Sequence, residues 1–166
     1  AGGSAALVLR FARRELFVPL GMRHVTLELD ATGTPLGAVF MFASARDWAR
    51  FGLLFVNDGM AGSKRILPEG WVRYSAEPTP SAPFGYGAHW WTNSGTSLGA
   101  QTRIGWGMPA DSFMASGSLG QYIVVVPSEQ LVVTRFGVTH DPRQATRQIA
   151  ELVGATIAAL RAKAKP

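Results

Sequence analysis

The sequence predicts a mixed α/β (α+β) fold, in which antiparallel sheet strands are packed by a C-terminal helix and joined to part of a helical region. Three patterns lead to this prediction. An amphipathic helical spacing covers residues 142–164, apolar strand patterns cover 112–126 and 130–138, and a capped helix pattern covers 45–57. At 166 residues, 47% of them hydrophobic, the chain is long enough to bury one ordinary core.

The helices of the first half are predicted from caps and apolar spacing. Residues 5–17 have a roughly helical pattern that ends at a Pro-Leu-Gly turn. Ser44 and Asp47 form a capping box before helix 45–57, in which the serine hydroxyl accepts an early backbone N–H and the Asp47 side chain is expected to reach back. Pro68 is expected in the first turn of a short helix that ends near residue 74.

The extended segments are predicted from alternation and turn residues. Residues 24–30 and 38–42 are two short segments with a turn between them. An aromatic strand is expected over 84–92, followed by a glycine-rich connection over 93–109. The two apolar strands of the second half form a hairpin through residues 127–129. In the last helix, Asp141 is the N-cap.

The proline-rich loop 77–83 is the one candidate boundary in the chain. Residues 1–77 are then part of a helical region with a short hairpin, and residues 84–166 are the sheet strands with the C-terminal helix. The start, residues 1–4, has no initiator methionine, so the chain is expected to be cut there.

Composition excludes several kinds of function. The net charge of +5 is not gathered into a Lys/Arg-rich run, so no nucleic-acid partner is expected. The chain has no cysteine, which excludes disulfides, thiolate zinc sites and a cysteine nucleophile but leaves the compartment open. No apolar stretch reaches the roughly 18 residues of a spanning helix, so no membrane partner is expected. The three histidines, His24, His89 and His140, lack metal-ligand spacing, and neither metal nor cofactor is predicted.

Residues 116–121 read Ser-Gly-Ser-Leu-Gly-Gln and interrupt an otherwise long strand pattern with small residues. Small residues in a strand allow another group to approach its backbone closely. Taken alone, the same pattern equally fits a β-bulge or a bend at a sheet edge.

Four blocks occur in order along the chain, at residues 16–22, 43–52, 65–71 and 117–121. In sequence and spacing they resemble the serine hydrolase superfamily of β-lactamases and penicillin-binding proteins. The resemblance is to the branch with 6-aminohexanoate-dimer hydrolases and class C-like esterases, and it extends over about residues 16–139.

The resemblance implies an acyl-enzyme mechanism with three motifs: Ser-x-x-Lys on a helix, Tyr-x-Asn or similar, and a Lys-Thr-Gly-like strand. No serine here is followed three residues later by lysine, and no tyrosine or serine is followed two residues later by asparagine. The chain is therefore expected to be the C-terminal part of a hydrolase. Its expected partners are a small-molecule amide or ester substrate and the missing N-terminal half of the same protein.

The third motif matches Ala115-Ser116-Gly117 followed by Ser118, or residues 118–120 in another register. Neither register keeps the lysine. The resemblance implies that the backbone N–H of Ser118, with Gly117 and Ser116 beside it, contributes to an oxyanion hole.

The resemblance also implies side chains that line the acyl pocket. These are Phe40, Tyr86, Trp90, Trp106, Leu119 and Gln121. Buried Phe and Trp belong to cores more often than to pocket walls, so a core position is the alternative for the aromatic ones. A triad through the adjacent His140 and Asp141 is rejected, because Asp141 is needed to cap the helix.

Two functions remain open from the sequence. The first is a serine hydrolase that cleaves an amide, ester or lactam, to which this chain contributes the oxyanion strand and a pocket wall. The alternative is a non-catalytic module that binds a peptide along the glycine-rich strand edge.

Overall fold

A computed structural model describes residues 4–36 and 39–164, and Ala38, where one predicted strand begins, lies outside them. The helices are α1 (Ala5–Ala12), α2 (Ala45–Val56), α3 (Trp71–Ala76), α4 (Leu98–Gly105) and α5 (Pro142–Lys163). The strands are β1 (Val25–Leu27), β2 (Met41–Ala43), β3 (Met60–Ala61), β4 (Lys64–Arg65), β5 (Trp91–Thr92), β6 (Phe113–Gly117), β7 (Gln121–Val126) and β8 (Leu131–Arg135). A π-helical turn, Arg13–Phe17, continues α1.

The largest sheet of the described residues has four antiparallel strands in the order β5-β6-β7-β8. Strand β7 is deeply buried, with Val124, Val125 and Val126 fully shielded from solvent. Because side chains alternate along a strand, Met114 and Val124 face one side of the sheet, and Phe113 and Val125 face the other. Each face of the sheet therefore carries its own apolar cluster.

Helix α5 covers one face of the sheet. Its buried stripe includes Ile149, Val153 and Ile157, which share a cluster with Tyr122 of β7. Full burial of an aliphatic side chain of this size stabilises the fold by about 1.5–3 kcal/mol. The predicted C-terminal helix and its packing on the strands are confirmed. Neither α5, with 22 residues, nor another helix of the described ranges combines the length and apolarity needed to cross a membrane.

Helix α2 covers the opposite face. Leu54 and Phe55 pack in a second cluster with Phe113 and Trp90. At Gly52 the helix comes so close to the sheet that a Cβ there would lie 2.6 Å from Cγ1 of Val132. The predicted helix 45–57 is confirmed to within one residue.

The N-terminus of α2 is joined to a distant segment through a buried carboxylate. The Ser44 hydroxyl accepts the N–H of Asp47 at 3.2 Å, as predicted for the N-cap. The Asp47 carboxylate reaches back to the N-cap residue, as predicted, and accepts the Ser44 hydroxyl at 2.9 Å, while the Ser44 N–H donates to the His24 C=O. The same fully buried carboxylate also accepts the N–H of Arg23 at 3.2 Å and of His24 at 2.9 Å. The Asp47 carboxylate therefore binds the backbone of the segment that precedes β1.

The charge of Asp47 is stabilised by its hydrogen bonds. Burial raises the pKa of this carboxyl, but bonds from the His24 N–H, the Ser44 hydroxyl, the Arg23 N–H and the Arg50 guanidinium outweigh burial. The net result is a pKa below the ordinary value. Asp47 is therefore ionised at neutral pH, with Arg50 Nη1 at 2.9 Å.

The prediction of one long strand over residues 112–126 is wrong. Strands β6 and β7 pair with each other in an antiparallel hairpin, and Gly117 opposite Gln121 is the last pair. Leu119 and Gly120 between them have φ of 59° and 84°, which ends an extended strand. The second predicted hairpin, between β7 and β8, is confirmed, with a 3₁₀ turn at Pro127–Glu129.

Other local predictions are corrected by backbone conformation. The strand expected over 84–92 is limited to β5, since Gly85 and His89 have φ of 71° and 68°. The connection 93–109 contains helix α4, whose N-cap is Ser97.

The remaining elements of the first half are close to the predictions. Helix α3 begins three residues after Pro68, with Gly70 as its N-cap, so proline is outside its first turn. Strands β1 and β2 form the expected short hairpin, and β3 pairs with β4 in a hairpin that was not predicted. The division of the chain at loop 77–83 stays a prediction.

Candidate active site

One edge of β6 is open where the predicted motif lies. Strand β5 pairs only with Phe113 and Met114, and its chain turns away at His89, which has φ of 68°. On that edge, no strand of the described residues pairs with β6 beyond Met114. Ser116 and Gly117, which follow, are exposed to solvent.

The direction of the backbone groups on this edge follows from one hydrogen bond. The N–H of Asn93 donates to the C=O of Ser112 at 3.0 Å, which places the polar groups of Ser112 on the β5 side. Since these groups alternate along a strand, those of Ser116 also point to the open edge, and those of Gly117 point to β7. Ser118, one alternation further, is exposed, and its N–H donates to no group within the described residues.

The turn of residues 118–120 is held by the segment that follows β8. The C=O of Leu119 accepts the N–H of Thr139 at 2.9 Å. The C=O of Gly120 accepts a hydrogen bond from the Arg135 guanidinium. These bonds fix the turn against the body of the protein and leave its outer side free. An exposed N–H on such a rigid turn is suited to binding an anionic oxygen.

Leu119 and Gln121 occupy different environments beside this turn. The Leu119 side chain is exposed at its apex. The Gln121 side-chain amide is paired with the backbone of Gly137, donating through Nε2 to its C=O at 2.6 Å and accepting its N–H at 3.3 Å. Gln121 therefore extends the pairing of β7 beyond the end of β8.

The structure does not bring all four predicted aromatic residues together. Trp90 is in the α2 cluster, with its ring centroid 4.5 Å from that of Phe55. Trp106 packs on the α5 cluster, at the opposite face of the sheet. Tyr86 and Phe40 are partly exposed, and Tyr86 packs edge-to-face on Trp91.

Two surface depressions lie elsewhere. One of about 420 Å³ lies beside the β1–β2 hairpin, and one of about 380 Å³ lies between α4 and α5. Neither is lined by a predicted site residue.

The His140–Asp141 pair has a structural explanation. The Asp141 carboxylate accepts the N–H groups of Arg143 and Gln144, at 2.8 and 3.2 Å, as an N-cap of α5. Over residues 4–36 and 39–164 there is no group of three or more His, Asp or Glu side chains that could hold a metal.

Helix α4 is joined to the chain around β5 by a buried arginine. Arg103 donates from Nε to Asn93 Oδ1 at 2.7 Å, and from Nη2 to the C=O groups of Phe84 at 3.1 Å and Thr92 at 2.6 Å. Burial lowers the pKa of this guanidinium. Neither Arg103 nor Arg135 is predicted from the sequence, because the acceptors of both lie on other elements of the fold.

Gly120 is expected to tolerate no larger residue. A Cβ there would lie 2.8 Å from Arg135 Nη1 and 3.1 Å from Ala145 Cβ, at a φ of 84°. Gly120→Ala should lower the free energy of unfolding by about 2 kcal/mol or more, because overpacking adds to the cost of the left-handed backbone. Gly33→Ala is the matched control, with φ of 80° and no atom within 4 Å. Equal losses in urea unfolding would show that packing around Gly120 is unimportant.

The fold is thus an α+β assembly whose sheet has an exposed strand edge beside a fixed turn. The sequence model of the Beta-lactamase family matches residues 4–154. The chain belongs to this family.

Two solved structures share the fold. A Bacillus anthracis protein described as a 6-aminohexanoate-dimer hydrolase has a TM-score of 0.68 and 21% identity, with 91% of this chain and 38% of that chain covered. A Bacteroides dorei protein described as a beta-lactamase has a TM-score of 0.53 and 16% identity, with 79% of this chain and 44% of that chain covered. The chain thus spans less than half the length of either. Comparison with curated protein sequences gives no match.

Proposed function

We propose that this chain is the C-terminal part of a serine hydrolase that cleaves an amide, ester or lactam through an acyl-enzyme. The observation that carries the proposal is the open edge of β6, which leads to the exposed residue Ser118, whose N–H has no acceptor among the described residues, within a Beta-lactamase family chain. "The complete protein" below means this chain together with the N-terminal half that the proposal requires.

In the proposed reaction, a base of the N-terminal half takes the proton of a serine hydroxyl, whose oxygen attacks the substrate carbonyl, and the proton is later passed to the leaving group. The carbonyl oxygen gains negative charge in the attack. The Ser118 N–H donates to that oxygen, together with the N–H of the nucleophile itself. The intermediate then expels the leaving group to form the acyl-enzyme, and water releases the acid. Ser116 and Gly117 are the last residues of β6 and position Ser118, the donor, at its end.

The exposed side chains supply the proposed pocket wall. Leu119 lies at the apex of the turn, and Tyr86 and Phe40 are partly exposed. Trp90 and Trp106 are on opposite faces of the sheet and do not contribute one common surface. Gln121 is engaged with Gly137, so its part in substrate binding would require that pairing to open.

The chain alone is expected to be catalytically silent, because an oxyanion donor without a nucleophile cannot carry out the covalent step. The test compares this chain with the complete protein on a p-nitrophenyl ester, nitrocefin and the 6-aminohexanoate linear dimer. The complete protein should hydrolyse at least one of them and lose that activity to a serine-directed phosphonate.

Two results would contradict the proposal. One is phosphonate-sensitive hydrolysis by the isolated chain, which would place a nucleophile within these residues. The other is a complete protein that hydrolyses none of the three compounds and does not react with the phosphonate. The alternative, a non-catalytic module that binds a peptide, has no support from the family match.

A further inference from the structure

We infer that Arg135, at the end of β8, is a positioning residue for the Ser118 N–H. This inference rests on the proposed function, because it assigns Arg135 a role at that same site. The Arg135 side chain belongs to none of the matched sequence blocks. Its importance follows from what the guanidinium joins in the structure.

The guanidinium links three parts of the fold. Nη1 donates to the C=O of Gly120 in the turn, and Nη2 donates to Thr139 Oγ1 at 2.8 Å and to Gln148 Oε1 of α5 at 3.2 Å. None of the ion pairs within the described residues includes Arg135. The side chain therefore serves as a fixed fork of donors to neutral oxygens.

The turn needs such a tie at this point. Strand pairing ends at Gly117 and Gln121, and Leu119 and Gly120 have positive φ. Ser118 has no hydrogen bond of its own N–H to hold it within the described residues. The two carbonyls that follow it are held by the Thr139 N–H and by Arg135. Loss of the guanidinium would leave the carbonyl of the buried Gly120 without its donor. The turn could then change its backbone conformation, and the Ser118 N–H would point in a different direction.

Lysine is a poor substitute at this position. One ammonium on a flexible stem lacks the planar fork that reaches the turn and the segment after β8 together. A displacement of about 1 Å in a reacting group can cost about 100-fold in rate. We therefore expect kcat to fall about 10- to 100-fold in Arg135→Ala and by a smaller factor in Arg135→Lys, with little change in KM.

The test uses the complete protein and an activated ester. Active sites are counted by phosphonate titration, so that kcat refers to folded enzyme, and the affinity for a boronic acid is measured. A boronate adduct is tetrahedral and uses the same donors as the intermediate, so its affinity should fall by the same factor as kcat/KM. Arg147→Ala is the control, since Arg147 is exposed on α5 and pairs with Glu151.

A merely structural role would reduce the number of active sites and leave kcat per site and boronate affinity at wild-type values, which would overturn the inference while the proposed function stands. A wild-type protein that is inactive and does not react with phosphonate would contradict both the proposed function and the inference about Arg135. If Arg135→Ala does not fold, the inference is tested by kcat per active site in Arg135→Lys and Thr139→Val. Thr139→Val removes one acceptor of the guanidinium but keeps the backbone bond to Leu119, and unchanged kcat in both variants would count against the inference.

Discussion

Ser118→Pro in the complete protein is expected to lower kcat/KM for an activated ester by about 10²–10³-fold, while Ser118→Ala keeps most of the activity. Proline removes the N–H that the proposed oxyanion hole requires, whereas alanine removes only an exposed hydroxyl. The measurement is steady-state hydrolysis with active sites counted by titration.

Proline also restricts the backbone, so folding is checked by circular dichroism and urea unfolding. An amide-to-ester replacement of the bond between Gly117 and Ser118 is a cleaner variant, because it removes the same N–H without the proline ring. The assignment fails if a well-folded Ser118→Pro protein turns over normally. It also fails if Ser118→Ala loses as much activity as proline.

Asp47→Ala is expected to lower the free energy of unfolding by about 3 kcal/mol or more. The substitution leaves the N–H groups of Arg23 and His24 without the buried carboxylate that accepts them and takes the partner from Arg50. Glu151→Ala is the control, because Glu151 is exposed on α5 and its carboxylate lies 2.8 Å from Arg147. Its effect should stay within about 1 kcal/mol. Equal losses in the two variants would contradict the assigned role.

The effect of Asp47 depends on pH in a defined direction. Its pKa in the folded protein is lower than in the unfolded chain, where the ordinary value is 3.8. Its contribution is therefore fully present above about pH 4 and is lost as the pH falls through the folded-state pKa. The gap in unfolding free energy between wild type and Asp47→Asn should narrow below pH 4. An unchanged gap between pH 7 and pH 3 would contradict this.

The elements that the sequence predicts well are those with local signals. Helix α5 has a capping Asp141 and a long apolar stripe, and α2 has its Ser44 cap, so both were located to within one residue. The β6–β7 hairpin was missed because the small residues 116–121 fit a β-bulge or a bend within one strand as well as they fit a turn between two strands. Only the positive φ of Leu119 and Gly120 reveals the turn.

The candidate site was less predictable, because its supporting contacts join residues distant in sequence. The Gly120 carbonyl is tied to Arg135, 15 residues away, and the Asp47 carboxylate binds a segment more than 20 residues before it. Trp90 and Trp106 are both aromatic residues near the motif in sequence. Trp90 precedes the edge strand β5 and packs with α2, whereas Trp106 ends α4, which packs against α5 on the other face.

The buried Arg103 has a consequence for engineering. It grips the Phe84 and Thr92 carbonyls from α4, and Gly99 of the same helix leaves no room for a Cβ, which would lie 2.5 Å from the Phe84 oxygen. The segment between these two carbonyls, which contains Tyr86, is thus held at both ends by Arg103. Within it, the exposed Tyr86 can be exchanged to alter the proposed pocket wall, whereas Trp90 packs in the α2 cluster and has to be kept. A replacement segment that extends past Phe84 or Thr92 also has to preserve the hydrogen bonds between these carbonyls and Arg103 of α4.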